Sequence, residues 1–245
     1  MDMNRIITLI YVALLCFLKS SIAEAQTRVR DDNTNAWLMY FGTARVADAW
    51  SIHTEAQVRR AELLETWQQL LLRTGINFHA DETTALTLGY AYVDTYPYGD
   101  FPAREVFPEH RVYQQMLLKG SLGRAALQHR YRLEQRWIEV AGTGDWIFKN
   151  RFRYLLRANV PVIGATLEDG EPYVALYDEI FIGFGGGVNN IFDQNRAYVA
   201  LGWKFSKDFS AEIGYMHQLL AQGNARIYEY NHTLQLGAIY NLDLR

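Results

Sequence analysis

Cysteine is almost absent from this chain of 245 residues: the only one is Cys16, inside an apolar segment close to the start. Leu15 precedes it where lipid acylation needs a small residue, so a lipid anchor is rejected. Everything after residue 16 therefore lacks a disulfide framework, a thiolate nucleophile and a cysteine-ligated metal. Long apolar runs are also missing. The longest, 6–18, falls short of the ~20 residues that a spanning helix needs. The formal net charge is only -3, with no basic or acidic tail, and nothing supports a nucleic-acid partner. The six histidines have no zinc-type spacing, and the carboxylates are too scattered to argue a glycosidase pair. The glycines of 183–187 lack the lysine and the strand-loop-helix setting of a phosphate cradle, so no cofactor is expected.

What is present begins with a leader. Arg5, the apolar residues 6–18 and the small-x-small site Ala23-Glu24-Ala25 are the three parts of a secretory signal peptide. The expected division is 1–25 as signal peptide and 26–245 as one β domain, since no linker interrupts the rest.

The stretch 127–160 organises that domain. Leu127, His129, Tyr131, Leu133, Gln135 and Trp137 alternate with Gln128, Arg130, Arg132, Glu134 and Arg136; Phe148, Phe152, Tyr154, Leu156 and Val160 alternate with Lys149, Arg151, Arg153, Arg157 and Asn159. A period of two puts the charges on one face of a strand and the large apolar residues on the other. Strands this long, greasy outside and charged inside, fit a membrane β-barrel whose apolar face meets lipid. Sixteen Tyr, twelve Phe and six Trp are enough for aromatic girdles. Similar alternation at 36–44, 50–59, 67–78, 84–93, 110–119, 173–182, 194–205, 209–218 and 231–242 brings the candidate strands to eleven. Bacterial single-chain barrels have even strand numbers. The expectation is an antiparallel transmembrane barrel of twelve strands, the polar lead 26–35 hiding one, with ten as the alternative. Longer loops alternate with shorter turns, except at 161–172.

Several ordered motifs, Glu109-His110-Arg111, the run His129 to Arg136, Asn150-Arg151-Phe152-Arg153-Tyr154, Glu179, and Phe192-Asp193-Gln194-Asn195-Arg196, resemble the outer-membrane-type family catalogued as domain of unknown function 2490. The resemblance covers most of the chain after residue 25 and implies an outer-membrane barrel; it carries over no activity, substrate or catalytic residue. Such barrels commonly finish on an aromatic residue. This chain ends Leu242-Asp243-Leu244-Arg245, leaving Tyr240 as the nearest candidate.

Parity turns Arg59, Arg73, Arg111, Lys119, Arg124, Arg130, Arg132, Arg136, Lys149, Arg151, Arg153, Arg157, Arg196 and Lys204 inward, against only Glu55, Glu134, Glu179 and Glu212. The other acids, Asp31 among them, are assigned to turns and loops, and the small inward residues of 84–93, Gly89 included, to making room for arginines. The candidate lumen network is Arg111, Arg130, Arg132, Glu134, Arg136, Arg151, Arg153, Arg157, Glu179, Arg196 and Glu212, with Tyr113, Tyr177 and Tyr198 as stacking partners. Paired with one another, these residues would fill a narrow barrel; unpaired, they would hold or pass an anionic small solute. Ser51, His53 and Glu55 share a strand face, but alternate residues stand ~6.6 Å apart, too far for a triad without neighbouring strands.

Three readings follow: a structural or binding barrel with an occluded lumen, a small anion-preferring channel, and a lipid-modifying hydrolase resting on Ser51 and His53. The expected location is the bacterial outer membrane, with its lipid and the barrel-assembly machinery as partners. Intact-mass measurement of the exported protein should find Gln26 as its first residue; retention of 1–25 would refute the leader.

Overall fold

The computed structural model describes residues 28–186, 188, 190–223 and 226–245. The expected signal peptide, 1–25, lies outside them. Among the described residues no helix is long and apolar enough to cross a membrane. The described residues instead form eleven strands: β1 (Val29–Ala47), β2 (Trp50–Ala61), β3 (Thr66–His79), β4 (Thr84–Thr95), β5 (Phe107–Leu122), β6 (Ala125–Glu139), β7 (Trp146–Pro161), β8 (Glu171–Phe184), β9 (Phe192–Lys204), β10 (Phe209–Ala221) and β11 (Ile227–Asp243). A single 3-10 turn, Glu62–Leu64, separates β2 from β3.

Each strand pairs with its neighbours in sequence, and the sheet closes through β1 and β11. The expectation of twelve strands, or ten, is therefore corrected to eleven. The polar lead does enter the sheet from Val29, but as the start of β1 rather than as a separate strand. In a meander the chain reverses at every connection, so the first and last of eleven strands run the same way. Closure must then be parallel, and β1 and β11 pair in parallel over seventeen residues, from Val29 with Ile227 to Arg45 with Asp243. The other ten pairings are antiparallel.

The register fixes the size of the barrel. Partners traced from Phe107 through Thr95, Gln69, Arg59, Trp37, Gln235, Gly214, Ala200, Ala175, Asn159 and Ala126 return to β5 at Ser121, fourteen residues further along. That stagger is even, so inward positions meet inward positions at the seam. With ordinary strand spacings it gives a tilt of roughly 45° and a backbone radius of about 11 Å. Inside a lumen of that width, long side chains meet partners on nearby strands of the wall.

One mouth carries the connections 48–49, 80–83, 123–124, 162–170 and 205–208; the other carries 62–65, 96–106, 140–145, 185–191 and 222–226. They are called here the turn mouth and the loop mouth. Three bulges interrupt the register, and two of them add a polar residue to the lumen. Between Arg59 and Arg60 the extra residue on β3 is Gln68, and between Phe181 and Ile182 the extra residue on β9 is Asp193.

Inside, Trp37, Tyr173, Ala175, Tyr198, Ala200 and Met216 form a small apolar island. The space above Gly75 and Gly89 is filled by the ring of Tyr113, which would collide with a Cβ at either position. At Gly89 that corrects the expectation of room for arginines. Outside, the apolar side chains are bare: Ile76 is 58% exposed, Leu88 61% and Leu201 55%. Trp67, Trp137, Trp146 and Phe148 ring the loop mouth; Trp50, Phe78, Trp203, Phe205, Phe209 and Tyr240 ring the turn mouth.

Parallel closure places the two ends of the barrel sequence at opposite mouths. Spin labels at positions 29 and 243 of the detergent-solubilised chain should report roughly 50 Å, sixteen residues of strand at ~3.3 Å each. A much shorter distance would mean that the seam is not parallel.

Candidate functional site

Alternation along β5 to β9 turns a dense set of charges into a lumen that cannot hydrate each of them fully. They pair instead. Glu134 on β6, 0% exposed, accepts from Arg151 Nε and Nη2 at 2.8 and 2.6 Å and from Arg153 Nη1 at 2.7 Å. Glu179 on β8 accepts from Arg153 Nε at 2.9 Å and from Arg130 Nη2 at 2.7 Å. Toward the loop mouth Glu109 accepts from both Arg111 and Arg136, the Nη2 distances being 2.8 and 2.9 Å. Asp193 links the two halves, 2.8 Å from Arg151 and 3.7 Å from Arg136. The result is one unbroken alternating chain of charge: Arg111, Glu109, Arg136, Asp193, Arg151, Glu134, Arg153, Glu179, Arg130. Buried charge pairs of this kind need their remaining donors satisfied, and bifurcated and bidentate guanidinium contacts supply much of that here.

Two smaller clusters flank it. Glu55 binds Arg73 at 2.6 Å and His53 at 3.2 Å. Glu212 pairs with Arg157 and accepts from Tyr173 Oη at 2.8 Å and Tyr198 Oη at 3.3 Å. Aromatic rings cover the guanidinium faces: Arg59 and Arg196 lie 3.9 and 5.1 Å from the Trp37 ring centre, Arg153 4.3 Å from Phe181, and Arg132 4.8 Å from Tyr113. Tyr177 and Tyr198 stack on each other at 4.6 Å instead of on arginines, which corrects that expectation.

Cations still outnumber carboxylates. Arg59 is held by Gln57 and Gln69, and Arg196 by Gln194 at 3.5 Å. Among the described residues neither these two nor Lys119 and Lys149 has a carboxylate within 4 Å. Nη1 of Arg132 and Nε of Arg73 are buried without an acceptor.

The two mouths differ. At the loop mouth 96–106 folds over the opening: Tyr98 Oη donates to Glu229 at 2.7 Å, and Tyr96 N donates to Gln68 O at 3.0 Å. Gly99, at φ 73°, lies so close to Asp31 and Asn33 that a Cβ would stand 2.9 Å from each. Burial and the Glu229 carboxylate push the Tyr98 hydroxyl well above the usual phenol range. The wall there is buried at Asp31, Gln68, Glu109 and Glu229, whereas at the turn mouth Lys119, Gln128, Asn159 and Asn241 are half-buried or exposed. A cavity of about 1020 Å³ is lined by residues from both ends, with Lys119, Lys204, Lys207 and His79 at its turn-mouth side.

Of the expected inward residues, Arg124 alone is displaced, lying exposed in the turn 123–124. Sequence reasoning missed Asp31, Glu109, Asp193 and Glu229 as lumen acids, and it missed Trp37 and Phe181 as the rings under the arginines. Glu109 stands two residues before Arg111, so parity alone could have found it. Asp193 faces the lumen only because of the bulge. The Ser51, His53, Glu55 row divides into separate contacts: Ser51 Oγ lies 2.8 Å from His79 Nε2 and accepts from Asn77 at 3.0 Å, while His53 turns to Glu55. No group of metal-ligating side chains occurs among the described residues.

Comparison with known proteins adds the following. Residues 34–229 match the model of the family described as "Protein of unknown function (DUF2490)". An uncharacterized protein of Methylorubrum extorquens is 26% identical over 235 residues, covering 94% of this chain and 96% of that protein. No solved structure matches.

Glu134 holds two guanidinium groups and faces a third, so Glu134→Gln leaves buried positive charge uncompensated. A loss of ~3–5 kcal/mol in urea unfolding is expected from removing one partner of a buried pair. Asp32→Asn, at the exposed Arg30 pair, is expected to leave the midpoint unchanged. Equal effects would show that the lumen pairs are solvated like surface ones.

Proposed function

The chain belongs to the DUF2490 family of proteins of unknown function, and from that premise and the geometry of its barrel we propose that it is an outer-membrane barrel with an occluded lumen, serving as a structural or binding barrel. The observation that carries the reading is the unbroken arginine and carboxylate chain from Arg111 to Arg130, backed by Trp37, Tyr113 and Phe181 across a lumen of about 11 Å backbone radius. The membrane location is supported by the bare apolar exterior, the aromatic rings at both mouths and the leader motif. Lipid and the barrel-assembly machinery are the partners this location entails. The excess of cations in the lumen suits an anionic small solute as ligand.

Two other readings rest on particular observations. The cations without carboxylate partners favour a small anion-preferring channel. The contact of Ser51 with His79 favours a lipid-modifying hydrolase, although among the described residues no carboxylate hydrogen-bonds His79. Loss of a lipase signal on Ser51→Ala would establish that reading.

Planar-bilayer recording under a salt gradient separates the first two. Folded, inserted protein is expected to give no stable conductance. Sustained anion-selective steps, abolished by neutralising Arg132 and Arg153, would replace the occluded barrel with the channel.

A further inference from the structure

A carboxylate faces outward at mid-height of the barrel. Asp178 sits halfway along β8, between the inward-facing Tyr177 and Glu179, and is exposed. Asn195 Nδ2 donates to its two oxygens at 3.1 Å, which leaves most of its acceptor capacity free. On β6 the nearest outward positions carry Tyr131, close to the middle of the strand, and His129, one outward position nearer the turn mouth. His129 Nδ1 lies 2.9 Å from Tyr154 Oη, and the rings of Tyr131 and Tyr154 stand 5.0 Å apart. His129, Leu156 and Asp178 share one row of the register across β6, β7 and β8. Elsewhere on the barrel the mid-height outward positions include the bare apolar Leu72, Leu88, Ile213 and Leu236, and the polar groups there, Tyr90 with His110 and Tyr215 with His232, are hydrogen-bonded without a carboxylate.

An ionised carboxylate turned toward hydrocarbon is costly, and on a barrel the cost is greatest at mid-height. A neighbour offering donors removes that cost. We propose that the outward face of β6, β7 and β8 is an interface between two copies of this chain. The proposal rests on the membrane reading above. Two copies inserted the same way are related by a two-fold axis along the barrel, so each patch meets its own duplicate with left and right exchanged. Centred on β7, that exchange lays β6 of one copy against β8 of the other. The donor Tyr131 then faces the free lone pairs of Asp178, and Leu156 fills the centre. The patch is complementary to itself because its donor and its acceptor lie on opposite sides of β7.

The near absence of cysteine makes the test clean. In chains with Cys16 also replaced, Leu156→Cys and, as control, Leu88→Cys are expressed, and membranes are treated with a short bis-maleimide. Leu156→Cys is expected to run at twice the chain's mass and Leu88→Cys to remain a monomer. Adding Asp178→Leu should lower the Leu156→Cys dimer several-fold while heat-modifiable migration shows the barrel intact. Monomeric Leu156→Cys in folded, membrane-inserted protein overturns the interface and leaves the membrane reading standing. So does an adduct of any mass other than twice the chain's. Absence of the chain from the membrane fraction overturns the membrane reading and, with it, the interface.

Discussion

The lumen depends on the pairing of buried guanidinium groups with a smaller number of buried carboxylates. An arginine stays charged at any ordinary pH, so burying one costs free energy unless an acceptor or a ring face replaces its water. Here each central carboxylate serves at least two arginines, and each of the three rings under them covers at least two. The arrangement joins β5, β6, β7, β8 and β9 through their side chains as well as their backbones. The same contacts line one wall of the lumen with paired charge.

Those contacts require the walls to stand at the right separation, which closure sets. An eleven-stranded meander can close only by a parallel seam, and a stagger of fourteen residues keeps inward faces inward around the ring. Fewer strands would crowd the central layer of arginines, and many more would leave a gap that water fills. The bulges adjust this frame locally. Gln68 is brought inward to accept from Trp37 Nε1 at 2.7 Å, which fixes the ring on which Arg59 and Arg196 stack. Asp193 is brought inward to join Arg136 to Arg151.

Outside, the constraint is reversed. Aliphatic side chains stay bare over most of the circumference, and the polar groups there pair locally: Gln114 with Gln135, His129 with Tyr154, Asn195 with Asp178. Similar pairs occur on other strands, Tyr215 with His232 on β10 and β11 and Tyr90 with His110 on β4 and β5.

Strand by strand, most of the wall was legible in the sequence, because a period of two needs only local order: Arg130, Arg132 and Glu134 turn one way and Tyr131 and Leu133 the other whatever the rest of the chain does. The apolar character of the exterior and the basic character of the lumen follow from that alternation. Tertiary structure decided the remainder. Strand number and the parallel seam depend on how β1 meets β11, two segments nearly two hundred residues apart. Partner choice depends on register between strands, so Ser51 met His79 rather than His53, and Trp37 and Phe181, ordinary apolar residues in sequence, became the surfaces on which arginines rest. Asp193 could not be placed by parity at all, since a single inserted residue reverses the face. Local alternation determines which side a residue takes, whereas only closure determines what it meets there.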